Sequence, residues 1–416
     1  MPIRLTLQEK EIAKRLAKIK ESSGSHSPSP AMLAAVKGVT VKHDFCYLSN
    51  PYATDLFLKY ARRDFKNVDT LRLLVEHYPS QNKSLAEKLV SMAGVSAKNI
   101  FVGNGATEII HAVLANFVGV KLPQSRRSLT PTMTPAKILV PIPTFSPYLE
   151  FAPEGVTVVM HQLQKETNFQ LDIHAFLSKV KKEKPDAVVL INPNNPDGGY
   201  VGLVEVQKIL HVLRGTETVI VDESFIHFAG DTDGRRYRNA DRRGFSPTES
   251  VTSLVRTYPN LIVVKSLSKD FGIAGLRLGY AVMSEKRVSA LLEKGYLWNV
   301  SGFGEYFLNL LSRPDFLRAY EKNRMQAVGE RDLFYTELSK IKELRVCPSR
   351  GNFFLVELLD GTTAHDLMVR LLVQYGIYIR PCGDKAGLNG EYVRVASRRK
   401  KENKLLVEIL KKSLVY

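Results

Sequence analysis

The sequence predicts an α/β fold with a large domain built on a mostly parallel sheet and a smaller α+β domain. Three observations carry this expectation. From about Ser84 short apolar runs alternate with helical patterns: Ile100 to Val102, Ile138 to Pro141, Val156 to Met160, Ala187 to Ile191, Thr218 to Val221, Leu261 to Lys265 and Leu278 to Val282. Runs that do not alternate apolar with polar are buried on both faces, as strands of a helix-covered parallel sheet are. The text changes after Tyr306. Long helices to Leu338 precede a strand at Asn352 to Leu358, a helix at Ala364 to Tyr375, strands at Ile377 to Arg380 and Tyr392 to Ala396, and a helix from Lys401. Finally, 416 residues at 44% hydrophobic suffice for more than one core. The expected division is an N-terminal arm and linker over 1–30, a small domain from 31–75 with 290–416, and a large domain over 76–289.

Residues 6 to 21 read as an amphipathic helix with Leu7, Ile12, Leu16 and Ile19 on one face, followed by the linker Ser22 to Pro30. Three glutamates in that helix argue against a transit peptide, and a secretory pattern of basic then apolar residues is absent. No apolar run reaches the length of a membrane span. Leu122 to Pro135 and Gly230 to Ser250 read as surface insertions. Cys46, Cys347 and Cys382 are far apart, with neither metal-ligand spacing nor a disulfide framework, so no metal is expected and the cytoplasm is the natural compartment. The net charge of +17 suits anionic ligands. It is densest at Arg235 to Arg243, Arg398 to Lys401 and Lys411-Lys412, without interleaved aromatics, so nucleic acid is not the expected partner.

The most specific segment is Ser266-Leu267-Ser268-Lys269-Asp270-Phe271-Gly272, followed by Gly275-Leu276-Arg277-Leu278-Gly279. An apolar strand ends, a serine-rich turn presents a lysine, and an arginine follows eight positions later. A pyridoxal-phosphate site needs this set: an amine to bond the cofactor's carbonyl carbon, hydroxyl and cationic groups for its phosphate, and glycines where backbone passes close to it. A lone lysine after a strand would ordinarily be a surface residue; this context is not ordinary.

The segment resembles the fold-type I, aspartate aminotransferase (class I/II) superfamily of pyridoxal-phosphate enzymes. Within it, the chain is similar to the branch of histidinol-phosphate aminotransferases and threonine-phosphate decarboxylases, from about Phe45 to the C-terminus. The resemblance implies the PLP-dependent transferase fold, pyridoxal 5'-phosphate as cofactor and Lys269 as the lysine that carries it. It places Asp222, after the strand Thr218 to Val221, at the pyridine nitrogen, where a carboxylate keeps that nitrogen protonated; a helix N-cap is the plainer reading of such an aspartate. Asn195, in Asn192-Pro193-Asn194-Asn195-Pro196-Asp197, would bond the phenolic oxygen, though such a segment is also an ordinary turn. The family usually has threonine where Asp197 stands.

Gly105, Ala106 and Thr107 open a helix after a strand, a natural anion site, and the resemblance gives them the cofactor phosphate with Ser266, Ser268 and Arg277. Phe145 would stack on the ring, or simply be core. Tyr78, in Tyr78-Pro79-Ser80, would reach the phosphate of the neighbouring subunit, and Asn50, in Asn50-Pro51-Tyr52, would cover the substrate; both imply a homodimer with shared sites. Proline-marked turns are the plainer reading of each. Arg394 and Arg380 lie in strands otherwise apolar. Each needs an anion there, either a structural partner or, as the resemblance implies, the substrate's carboxylate for Arg394 and a distal phosphate for Arg380. Phe225 stands where most aminotransferases of this group have tyrosine, and phenylalanine cannot bond the cofactor phenolate.

The main expectation is an aminotransferase acting on a small amino acid or amine with a phosphate group. The alternative is a decarboxylase of an O-phospho-amino acid, toward which Phe225 leans. A third reading is a non-catalytic PLP-binding regulator. Relatives of that kind carry a DNA-binding domain upstream, and the segment to Pro30 is too short for a winged helix.

Overall fold

The computed structural model describes residues 2–23, 27–119, 135–230, 250–296 and 298–414. The insertions expected at Leu122 to Pro135 and Gly230 to Ser250, with the basic run Arg235 to Arg243, fall almost entirely outside these residues. The chain divides into a larger unit, Ser49–Asn195 with Gly199–Met325, and a smaller one, Met1–Leu48 with Pro196–Gly198 and Gln326–Tyr416.

The larger unit is built on a seven-stranded sheet. Edge to edge its strands are Ile100–Gly103, Gly279–Val282, Leu261–Ser266, Thr218–Asp222, Ala187–Ile191, Lys137–Ile142 and Thr157–Gln162. Gly279–Val282 is antiparallel to both neighbours, and all other pairings are parallel. The strand period of two sorts each central strand between two cores. Val188, Leu190, Val219, Val221, Leu261 and Val263 join one cluster. Ala187, Val189, Ile191, Ile220, Ile262 and Val264 join the other. Every residue of the three central strands is buried, whereas the edge strand Thr157–Gln162 exposes much of itself. This is why the central strands read as continuous apolar runs.

The observed units differ from the expected boundaries at 75/76 and 289/290. Residues 51–64 and 302–325 pack with the larger unit for a local reason. Leu56 and Tyr60 of the helix Pro51–Asp64 share a core with Tyr306, Phe307 and Phe316. The Tyr60 and Phe316 rings meet edge-on at 5.2 Å, and the Tyr60 hydroxyl donates to Asp315 at 2.6 Å.

In the smaller unit a four-stranded antiparallel sheet has the order Arg380–Pro381, Tyr392–Ala396, Phe353–Leu358, Leu344–Val346. The strand expected over Ile377 to Arg380 is two short pieces. Ile377–Tyr378 pairs in parallel with His43–Asp44, and Arg380–Pro381 pairs with Tyr392–Ala396. The N-terminal segment expected as an arm is packed into this unit as the helix Leu7–Ser22. Thr6 and Glu9 form a reciprocal cap at its start. Ile12 and Leu16 enter the core. Leu7, expected on the same face, is 87% exposed, and Ile3, upstream of the cap, is buried instead. Glu9 is buried too, because Arg370 and Gln374 donate to it at 2.6 and 3.0 Å. Among the described residues no helix is long and apolar enough to cross a membrane.

One buried ion pair ties the sheet to the segment beyond it. Lys265 reaches Glu223 at 2.5 Å, and both side chains are almost wholly buried. The Ser250 hydroxyl and the Val251 N–H donate to the same carboxylate at 2.6 and 2.8 Å. Removing one member of such a pair strands the other charge in a medium that solvates it poorly. Lys265→Met is expected to destabilise the protein by about 3–5 kcal/mol. Lys265→Met with Glu223→Gln should recover a large part of that loss. Denaturant midpoints for wild type and both variants test this, and equal midpoints for the two variants would show the pair to be energetically neutral.

Candidate active site

Strand direction and register gather the expected site residues of the larger unit along one end of its sheet. Gly103, Gly279 and Ser266 are in register across three strands, and Ile191, Asp222 and Val264 across three others. The chain leaves the sheet just beyond, at Gly105, Asn192, Glu223 and Ser268. In open α/β sheets ligands sit outside the carboxyl ends of the strands, because backbone donors and loop side chains are free of the ladder there.

At one side is an anion cradle. Gly105 takes φ 87° and precedes the helix Ala106–Phe117, whose N-terminus has no side-chain cap. Its first N–H groups are therefore open to a ligand. A Cβ at Gly105 would collide with the Arg277 guanidinium, so that cation lies directly against the turn. A Cβ at Gly279 would come within 2.8 Å of both the Ala106 nitrogen and the Lys265 carbonyl. Glycine at these two positions lets helix start, strand end and arginine converge. Arg277 is itself held at φ 53°. The Ser268 N–H donates to the Ser266 hydroxyl at 3.3 Å, and the buried Ser268 hydroxyl oxygen has no hydrogen-bond partner among the described residues. A buried hydroxyl without a partner is costly, and a phosphate here would supply one. The turn at Gly105, the helix start at Ala106 and Thr107, Ser266, Ser268 and Arg277, all expected at a phosphate, thus lie toward one end of the sheet.

Asp222 lies at the end of its strand and is 2% exposed. Burial pushes its carboxyl above the usual 3.8, while hydrogen bonds from Ser224 and Tyr148 pull the other way. The Ser224 N–H donates to Oδ1 at 2.9 Å, and the Tyr148 hydroxyl to Oδ2 at 2.9 Å. Asp222 caps no helix. Sequence reasoning missed Tyr148. The only hint was its place three residues after Phe145, whose carbonyl accepts from the Tyr148 N–H at 3.1 Å. Phe145 is half-buried and Phe225 buried. In the turn after Ile191 the asparagines divide their work. Asn192 bonds the backbone of Val201 in both directions at 2.8 Å. The Asn194 amide donates to the Pro143 carbonyl at 3.0 Å. Asn195 is buried beside them.

Lys269 sits half-buried in the turn after Leu261–Ser266. Its carbonyl accepts the Asn50 N–H at 2.8 Å. Asn50 is 1% exposed and caps the helix Pro51–Asp64 through its Oδ1, while its Nδ2 is buried without a partner among the described residues. Gly272 allows this approach, since a Cβ there would strike the Asn50 carbonyl and Thr54. Next to the lysine, Asp270 Oδ2 lies 2.8 Å from His227 Nδ1, and both side chains are nearly fully buried. This pair links the loop after Asp222 to the lysine turn, and it too escaped the sequence reading. Tyr78 stands apart from the other site residues on the surface, 86% exposed, with its ring 5.7 Å from that of Trp298.

Arg380 and Arg394 belong to the smaller unit and are Cα partners on adjacent antiparallel strands. Arg380 is 6% exposed, and its guanidinium meets Asp384 at 2.5 Å. Arg394 is half-buried and donates to the Cys46 carbonyl at 3.0 Å. The expected anion of Arg380 is thus in part a structural carboxylate four residues away.

The match to known proteins agrees with this geometry. The model of the family "Aminotransferase class I and II" fits residues 75–410. An L-serine phosphate decarboxylase of Campylobacter jejuni is 46% identical over 98% of each chain. One of Sulfurospirillum multivorans is 40% identical over 97% of this chain and 96% of its own. The solved structure of a decarboxylase from Sulfurospirillum multivorans superposes with a TM-score of 0.85 at 40% identity, over 98% of this chain and 97% of its own. Histidinol-phosphate aminotransferases match at 27–30% identity. The chain belongs to the class I and II aminotransferase family of pyridoxal-phosphate enzymes.

Proposed function

We propose that the protein is a pyridoxal-phosphate-dependent decarboxylase of an O-phospho-amino acid, with L-serine phosphate as the first candidate substrate. The observation that carries this reading is the 46% and 40% identity, over nearly the whole chain, to two L-serine phosphate decarboxylases. It replaces the main expectation from sequence, transamination, with the alternative. Phe225 supports the same choice, since it is buried where most aminotransferases of the group have a tyrosine.

Bound pyridoxal phosphate supplies an electron sink conjugated to the α-carbon of the substrate. The chain's own residues do the rest. Ser266, Ser268, Arg277 and the N–H groups at Ala106 and Thr107 hold the cofactor phosphate, and Phe145 and Asn195 flank the ring. Asp222 keeps a proton on the ring nitrogen, and Tyr148 fixes the direction of that carboxylate. Lys269 supplies the amine that carries the cofactor and moves a proton at the α-carbon. Arg394 holds the substrate carboxylate and Arg380 the distal phosphate, with Asn50 covering the site. Decarboxylation breaks the bond from the α-carbon to the carboxylate and puts a proton in its place, giving carbon dioxide and the phosphorylated amine. Unlike transamination it consumes no 2-oxo acid. The three buried cysteines carry no disulfide, which supports a cytoplasmic location. The exposed pair Tyr78 and Trp298 supports a homodimer in which Tyr78 reaches a neighbouring site.

Purified enzyme with O-phospho-L-serine is expected to release carbon dioxide and O-phosphoethanolamine, identified by mass, with no dependence on 2-oxoglutarate. Glutamate formed from added 2-oxoglutarate, with no carbon dioxide, would return the chain to the aminotransferases.

Asp222→Asn should lower turnover on the order of 10²-fold or more, because the electron sink is weakened. Its apoprotein should gain stability at neutral pH. Burial raises the folded pKa of Asp222 above the usual 3.8. The stability tied to its protonated form is complete below that value and is lost as pH rises through the folded one. The melting temperature of wild-type apoprotein should therefore fall progressively behind that of Asp222→Asn as pH rises above 3.8. Parallel melting curves across that range would remove the buried, ionisable role.

For the shared site, Tyr78→Phe subunits mixed with Lys269→Ala subunits should recover activity above either parent. Mixtures no more active than their parents, or an active monomer in sedimentation, would end the homodimer reading.

A further inference from the structure

The ladder between Thr218–Asp222 and Leu261–Ser266 gives out after Asp222 and Val264, with a last backbone bond from the Glu223 N–H to the Val264 carbonyl at 2.8 Å. Beyond it, pairing between these two strands no longer fixes how far the loop after Asp222 stands from the turn at Lys269. His227 and Asp270 meet across that gap, Asp270 Oδ2 lying 2.8 Å from His227 Nδ1. Either group can carry the shared proton, and the hydrogen bond exists in both cases. The loop side is braced from the helix Pro314–Leu338. Arg324, 2% exposed, donates to the His227 carbonyl at 2.8 Å. The Tyr320 hydroxyl donates to Asp270 Oδ2 at 3.5 Å, and its ring stacks on that of Phe271 at 4.1 Å. The Lys269 carbonyl accepts the N–H groups of Asn50, at 2.8 Å, and Gly272, at 3.3 Å. The backbone is thus held at the lysine and at the residue after it. Asp270 also differs from Glu223, whose two carboxylate oxygens are both bonded. Asp270 Oδ1 is buried with no hydrogen-bond partner among the described residues. A buried carboxylate left so costs stability, and a purely stabilising role does not account for it.

We propose that His227 and Asp270 are a positioning pair: their hydrogen bond sets the Lys269 turn against the loop that follows Asp222, and so fixes the lysine amine relative to the ring that Asp222 serves. The inference rests on the reading of Lys269 as the lysine that carries the cofactor and, for its kinetic test, on O-phospho-L-serine as substrate. Neither His227 nor Asp270 touches the substrate in this account. Lys269 has to bond the cofactor and then move a proton at the α-carbon, and both steps need its amine at a set place. A misplacement of about 1 Å can cost on the order of 10²-fold in rate. Substrate binding, which other residues perform, is left largely alone.

The experiment takes two readings on the full-length protein. One is the rate at which apoprotein takes up pyridoxal phosphate, followed by visible absorbance. The other is steady-state kinetics of the holoenzyme with O-phospho-L-serine. Asp270→Ala should slow uptake and lower kcat, each roughly 10- to 100-fold, with KM changed far less. Asp270→Asn should restore most of both, since an amide can accept from Nδ1 or donate to it. The double variant His227→Ala with Asp270→Ala should lose no more than Asp270→Ala alone, because both changes remove the same bond. Wild-type uptake and kcat in a folded Asp270→Ala, a rise in KM alone, equal losses in Asp270→Asn and Asp270→Ala, or additive losses in the double variant would each overturn the proposal. If Asp270→Ala fails to fold, judged by circular dichroism, His227→Leu, which fills the space without the hydrogen bond, decides it by the same two readings. If uptake responds as expected but wild-type enzyme does not turn over O-phospho-L-serine, the positioning pair stands and the decarboxylase reading fails.

Discussion

The larger unit depends on one constraint. The backbone groups of its central strands are committed to the ladder, and both faces of those strands are covered. Val188, Val219 and Val263 serve one core while Val189, Ile220 and Ile262 serve the other. Chemistry can therefore emerge only where the ladder ends. There the first N–H groups of a helix, the Lys269 turn and the Asp222 carboxylate are no longer bound by strand geometry. Parallel direction puts these ends at one edge of the sheet. The single reversed strand, Gly279–Val282, brings Gly279 between Gly103 and Ser266, and its lack of a side chain lets the Ala106 nitrogen come close.

Around that edge, polar groups that would be liabilities in an ordinary core become assets. Asp222 is buried against Tyr148 and Ser224, and its carboxyl is pushed up by burial. Ser268 has a buried hydroxyl oxygen with no partner among the described residues. Both cost stability in the absence of a ligand, and both are what a protonated pyridine nitrogen and a phosphate would satisfy. Glu223 and Lys265, one step along the same strands, show the contrast. Their charges are neutralised within the protein, with Ser250 and Val251 completing the carboxylate's bonds. Neighbouring positions thus differ in how a buried carboxylate is satisfied, by a cation at Glu223 and by neutral donors at Asp222.

Much of this was legible in the primary structure. The strands Ala187–Ile191 and Tyr392–Ala396 and the helix Ala364–Tyr375 follow from apolar runs and from helical periodicity closed by Gly376 in a left-handed conformation. The lysine turn and the glycines around it are local patterns that few other sites require. Less legible were residues whose role depends on distant partners. Tyr148 resembles any core tyrosine until Asp222 is seen 2.9 Å away. His227 and Asp270 are far apart in sequence and meet only because two loops leave adjacent strands. Leu7 has the right spacing for the buried face of its helix, but the reciprocal cap at Thr6 and Glu9 turns the chain so that Ile3 is buried instead.

The sequence by itself determined the α/β class and the cofactor and named candidates for the residues of the reaction, because each is written in a short run of neighbours: a strand, a turn, a lysine, an arginine. Transamination and decarboxylation use the same such runs, so local pattern could not choose between them. Only the tertiary structure decided which charges are paired and which are not. Arg380 reads as an open cation in its strand, yet folding gives it Asp384, and gives Asp384 in turn Lys20 from the other end of the chain. Pairing of that kind depends on distance and burial, quantities that exist only once the chain has closed on itself.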